Sequence, residues 1–142
     1  MARVDFYILG QADERARALL ACKLAEKAWR LDHSVYIHAE DRAAAEHLDD
    51  LLWTFRDGSF VPHGLADGND GTECSPIVIG YGTKGANERD FLINLCDDIP
   101  PFVDAFPRVA ELVTSDENCR NLSRRRYAQY RDHGHELNTH EL

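Results

Sequence analysis

The segment VDFYILG, Val4–Gly10, is short, rich in β-branched and aromatic residues and closed by a glycine, the pattern of a buried strand. The elements after it decide the fold. From Asp13 to Leu31 apolar residues recur at Ala16, Leu20, Leu24, Ala28 and Leu31, the 3.6-residue stripe of an amphipathic helix. SVYIHA, Ser34–Ala39, is a second strand. Asp41–Trp53 repeats the helical spacing at Ala44, Leu48 and Leu51 behind a candidate N-cap, Asp41. Strand, helix, strand, helix predicts an α/β fold on a mostly parallel sheet, because right-handed crossovers join such strands. At 142 residues the chain is expected to form a single domain, 1–142.

Beyond Trp53 the pattern loosens. GSFVPHGLADGNDGTECS, Gly58–Ser75, reads as an ordered loop with a mobile tip. Short strands are expected at Pro76–Gly80, Phe91–Leu95 and Arg108–Val113, and DDIPPFVDAF, Asp97–Phe106, reads as a short helix entered through an acidic cap and prolines. Asp116–His133 is the last helix, with Gly134 as its stop. The polar residues after it are expected to fray into solvent.

The formal net charge is −9, yet residues 120–131 carry five arginines and no acidic side chain. So acidic a chain is poorly suited to general duplex binding, which rests on many phosphate contacts. Any anion it grips should be small and local. Cys22, Cys74, Cys96 and Cys119 show no CxxC pairing, which suits a reduced, cytoplasmic protein. A basic leader, an apolar signal core and an eighteen-residue apolar run are all missing, so the expectation is no membrane and a cytoplasmic location.

At 100° per residue, Arg120, Arg124, Tyr127 and Arg131 fall within an arc of about 60° on the last helix. A guanidinium fork binds carboxylate or phosphate bidentately, and a tyrosine face beside it offers an apolar contact. The stripe suits an acidic peptide carrying an apolar residue. Equally, it suits a solvated face whose arginines pair with the chain's own carboxylates. Trp53, with Phe60, Val61 and Pro62 after it, is open to two readings as well, a plug at the edge of the core or an interface anchor.

GYGTKG, Gly80–Gly85, fits a G-x-G-x-x-G string, but only ANERD separates it from the next strand, which is too short for the helix a pyrophosphate site needs. His133, His135 and His140 lack cysteines at zinc-finger spacing. There is no G-x-S-x-G elbow. These residues therefore predict no cofactor, no metal and no catalytic group.

LDDLLW, SFVPHGLA, RRRYAQYRDHG and the LNT near the end, taken together with VDFYIL, resemble the chi subunit family of bacterial DNA polymerase III holoenzyme nearly end to end. The resemblance implies a single Rossmann-like domain, a mostly parallel sheet with helices on both faces and no nucleotide site. It also implies a non-catalytic subunit that binds the psi subunit, and through it the clamp loader, and separately binds the acidic C-terminal tail of single-stranded DNA-binding protein, so that DNA is met indirectly. Transferred position by position, the tail pocket falls at Val113, Arg120, Arg124, Tyr127 and Gly134, with Arg131 extending the stripe. The psi surface falls at Trp53 and Phe60, with Val61 and Pro62 beside them. The family position matching Arg120 can be lysine, so charge is what is needed there. The implied tail ends in acidic residues followed by Ile-Pro-Phe with a free carboxylate. Arg124 would take that carboxylate, Val113 and Tyr127 the ring, and Arg120 and Arg131 the upstream acids. DDIPPF, Asp97–Phe102, is similar to that tail but is internal, and reads as a capped helix start or a weak self-competitor. Rival readings are an adaptor for another psi-like partner, such as a repair helicase, and a small nucleotide-binding α/β enzyme.

Overall fold

The computed structural model describes residues 2–55, 63–65, 76–81, 89–100 and 102–141, with 63–65 as backbone. Its elements run β1 (Arg3–Ile8), α1 (Glu14–Arg30), β2 (Val35–Ala39), α2 (Arg42–Thr54), β3 (His63–Leu65), β4 (Ile77–Tyr81) and β5 (Phe91–Asn94). A 3-10 turn at Val103–Ala105, β6 (Arg108–Val113), α3 (Glu117–Asp132) and β7 (Glu136–Glu141) complete the order. The strands form one open sheet in the order β3-β4-β2-β5-β6-β1-β7. Every pairing is parallel. The α/β fold expected from the first four elements is the fold observed.

Because side chains alternate across a strand, each strand feeds two cores. Val35, Ile37, Ile77, Ile79, Ile93 and Leu112 pack under α1 and α2. Val4, Phe6, Tyr36, Leu92, Val109 and Tyr130 pack on the opposite side with α3 and the 3-10 turn. Asp41 caps α2 as expected, its carboxylate accepting from Ala44 N at 2.8 Å. Burial pushes the Cys22 thiol, inside α1, up to about 12, so it packs as a small apolar group.

Four expectations are corrected. Gly58–Ser75, expected to be a loop, forms β3 at residues 63–65, paired in parallel with β4, and the rest of it lies outside the described residues. The buried face of α1 is Ala21, Cys22, Ala25 and Ala28, while Leu20 and Leu24 are only partly buried and Leu31 is 61% exposed. Small residues let the helix axis approach the sheet, and the leucines are left on its flank. The third correction concerns the tail, which is β7, paired in parallel with β1 from Arg3↔Glu136 to Ile8↔Glu141. Its histidines are tied down: His135 Nδ1 accepts from Ala2 N at 3.0 Å, and His140 Nε2 lies 3.0 Å from Asp5 Oδ1 with its ring stacked on Tyr7. Fourth, Asp97–Phe106 supplies only the 3-10 turn instead of a helix entered at Asp97. Phe102 there packs against Tyr36, His38 and Phe106, so its ring is engaged in the core.

Gly80, the first glycine of GYGTKG, sits inside β4, and a Cβ there would overlap the Tyr36 phenol. Its lack of a side chain serves sheet packing; residues 82–85 of the string lie outside the described residues. Gly80→Ala should therefore destabilise the fold by about 1–3 kcal/mol in chemical denaturation, with Tyr36→Phe restoring part of the loss by removing the hydroxyl. Full stability in Gly80→Ala would show that the ring is not held over the glycine.

His38 is 5% exposed, its Nδ1 has no hydrogen-bond partner, and burial lowers its pKa from 6.5. A lowered native pKa means stability that is present above pH 6.5 and lost as pH falls toward the native value. Replacing His38 with Phe should flatten that acid limb in denaturation curves taken from pH 7 to 5. An unchanged limb would assign the loss to other groups.

Candidate functional site

α3 is anchored at both ends. Asp116 accepts from Cys119 N at 3.0 Å, and Ser115 N donates to Gln11 O at 2.9 Å, joining the helix start to the loop after β1. At the far end Gly134 takes φ 82°, the left-handed stop a glycine adopts without strain. Glu117 in the first turn and Arg131 in the last complement the helix dipole.

The inner face is Ser123, Arg126 and Tyr130. Glu111 on β6 is completely buried, and both its oxygens meet donors: Arg126 Nε at 3.0 Å on Oε1, Tyr130 OH at 2.8 Å and Asn94 Nδ2 at 2.9 Å on Oε2. Arg126 Nη1 also donates to Asp97 O at 2.7 Å, and Asn94 Nδ2 to Asp98 O at 3.2 Å. Burial pushes the Glu111 carboxyl upward, opposed by the Arg126 charge and by the bonds from Asn94, Tyr130 and Arg126. A donor-only environment favours the ionised form, and burial beside that charge raises the Tyr130 phenol, keeping its proton in place to donate.

The predicted stripe runs along one flank of the helix. Arg120, Arg124, Tyr127 and Arg131 are all exposed. Tyr127, 38% exposed, rests its ring 5.3 Å from Phe6 at 57°. Arg124 Nη1 donates to the neutral Asn121 Oδ1 at 3.2 Å, and Arg131 pairs loosely with Asp132 at 3.5 Å. Arg120 and Arg124 form no ion pair among the described residues. The stripe is thus largely free of the chain's own carboxylates. Val113 is buried at the end of β6, before α3, whereas Gly134 follows it. Sixteen helical residues separate them, about 24 Å.

Arg126 belongs to the basic run yet points inward, and only the lone Glu111 within the apolar RVAELV strand signalled that need. Phe6, beneath Tyr127, was not foreseen as part of the site; as a core residue of β1 it carries no local signal. Trp53 is 52% exposed on the last turn of α2, beside the buried Leu51 and Leu52. Phe60, Val61 and Pro62 lie outside the described residues. Among the described residues no cluster of His, Cys, Asp or Glu is arranged to hold a metal ion, and no helix is long and apolar enough to cross a membrane.

The family model described as DNA polymerase III chi subunit, HolC, matches residues 1–138. A relative from Pseudomonas aeruginosa, named DNA polymerase III subunit chi, is 45% identical over 142 residues, covering 100% of this chain and 98% of that one. Relatives of the same name from Haemophilus influenzae and Escherichia coli are 35% and 37% identical, over 97% and 84% of this chain and 96% and 82% of theirs. Among solved structures, T4 UvsW aligns with a TM-score of 0.71 at 11% identity, over 99% of this chain and 41% of that one. Yeast Dbp5, from a structure with Gle1, aligns with a TM-score of 0.61 at 13% identity, over 98% and 42%. At such identities these two bear on the fold alone.

Removing one member of the buried pair leaves the other charge uncompensated. Arg126→Met should cost about 3–5 kcal/mol, and the double change Glu111→Leu with Arg126→Met should recover most of it, in urea denaturation. Equal losses in the single and double variants would refute the coupling.

Proposed function

This chain belongs to the DNA polymerase III chi subunit family, and on that premise we propose that it is an accessory subunit joining two partners. On α3 it binds the acidic C-terminal tail of single-stranded DNA-binding protein, through Val113, Arg120, Arg124, Tyr127, Arg131 and Gly134. At the end of α2 it binds the psi subunit, through Trp53 with Phe60, Val61 and Pro62, and so joins the clamp loader. DNA is met indirectly, and the reading calls for no cofactor.

One observation carries it: an exposed tyrosine lies among guanidiniums that the chain's own carboxylates leave largely unpaired. Arg124, steadied by a neutral amide, keeps its charge for a terminal carboxylate. Tyr127 over Phe6 offers the apolar surface for a terminal ring. Arg120 and Arg131 attract the upstream acids, while a net charge of −9 weakens non-specific attachment of an acidic peptide to the surface at large.

Trp53 and the α3 stripe are well separated. α2 packs on β3 and β4 on one side of the sheet, and α3 on β6 and β7 on the other. β4 and β6 are three places apart in the sheet, about 14 Å.

A labelled peptide ending in Asp-Ile-Pro-Phe should bind as the free acid and lose affinity as the C-terminal amide. Arg124→Ala should weaken the acid by about 1.5–3 kcal/mol, tenfold or more, in fluorescence anisotropy. Equal binding of acid and amide would defeat the carboxylate reading. Phe60→Ala should weaken psi in pull-down and spare the peptide, and Arg124→Ala the reverse; one substitution abolishing both in folded protein would contradict separate surfaces.

A further inference from the structure

Among the described residues three large apolar side chains are exposed: Tyr127, Trp53 and Leu31. The first two lie on the surfaces proposed above. Leu31 lies on neither, and it ends a row along α1. On a helical wheel Leu20, Leu24 and Leu31 fall within about 40° of one another and about 120° from Ala21, Cys22 and Ala25, which press on the sheet.

The row looks toward β1 and β7, whose near face no helix covers among the described residues. α1 packs on β2, β5 and β6, α2 on β2, β3 and β4, and α3 on the opposite face. Two cavities line this flank, about 410 Å³ beside Tyr7, Leu24 and Leu31 and about 510 Å³ beside Leu9 and Leu20. From Ala16 to Leu31 the flank is about 22 Å long, four helical turns.

Charge identifies the occupant. Lys23 and Lys27 stand exposed on the rim, one turn apart, and neither forms an ion pair among the described residues. Most other charges there are committed: Arg3, Arg108 and His140 surround Asp5, and Asp90 accepts from Ser34 N at 2.9 Å with His33 at 3.7 Å. Glu136, in register with Arg3 at the start of β7, is an exposed carboxylate on the same face. Along the α1 row itself the uncommitted charge is that of Lys23 and Lys27, positive on a chain of −9. A second copy fits poorly, because Lys23 and Lys27 lie mid-row and a twofold pairing would set them against each other.

We propose that this groove docks an amphipathic helix of a second protein, about four turns long, with leucine-type side chains against the α1 row and carboxylates one turn apart against Lys23 and Lys27. It is a third surface, independent of the two above.

The test uses two labelled helical peptides of about sixteen residues, sharing a leucine stripe but flanked by glutamate in one and lysine in the other. Fluorescence anisotropy is read against wild type, the double variant Lys23→Glu/Lys27→Glu, Leu24→Asp and Arg124→Ala. Wild type should bind the acidic peptide at least about tenfold tighter than the basic one, and the double variant should invert that order. Leu24→Asp should lose both, and Arg124→Ala should change nothing. Equal affinity for the two peptides, no binding, a preference that fails to invert, or loss in Arg124→Ala would each overturn the proposal. So would a micromolar dimer in sedimentation that Leu24→Asp dissociates. Should Leu24→Asp fail to fold, the exposed lysine variant decides alone.

Discussion

Glu111 controls the orientation of α3. A carboxylate at 0% exposure costs several kcal/mol in lost hydration unless its oxygens are met by well-placed donors. Here the donors come from two elements, Asn94 on β5 and Arg126 and Tyr130 on α3. Because Arg126 and Tyr130 are four residues apart, both reach the sheet only at one rotation of the helix. That rotation places Arg120, Arg124, Tyr127 and Arg131 about 100° round the axis. The binding stripe is thus a flank of the helix, low enough for Tyr127 to rest on Phe6 and high enough for the guanidiniums to stay in water.

The same constraint reaches the loop after β5. Arg126 and Asn94 use the carbonyls of Asp97 and Asp98, so the backbone of DDIPPF is part of the support for α3. Its likeness to an acidic tail is compositional: the Phe102 ring is engaged by Tyr36, His38 and Phe106. The segment braces the site from within the core.

Legibility followed apolar pattern. β1, α1, β2, α2, β4, β5, β6 and α3 all carry periodic or continuous apolar residues, and their order implied the parallel sheet. ELNTHE, β7, does not, because an edge strand pairs through its backbone and the open edge of β1 supplies the partner. On α1 the large leucines suggested the buried face, but close approach to the sheet selects alanine and cysteine. The stripe on α3 was legible as spacing because its members share one arc. The inward turn of Arg126 was not, since three consecutive arginines look alike until Glu111 is placed beside one of them.

Among the described residues apolar exposure and free positive charge coincide twice on this acidic chain. At Tyr127 the charges are guanidiniums, planar forks suited to one fixed carboxylate. Beside the α1 row they are lysines, flexible point charges that tolerate a carboxylate at several positions. The first chemistry favours a defined chain end, the second a side-chain pattern repeated along a helix. An anionic polymer such as nucleic acid would meet either patch, but a body of net charge −9 surrounds both and opposes its approach. Short acidic segments escape that opposition, because they touch only the local field within a screening length of about 8–10 Å. Local basic patches on an acidic body therefore select for protein segments, and the apolar side chain at each patch decides which kind.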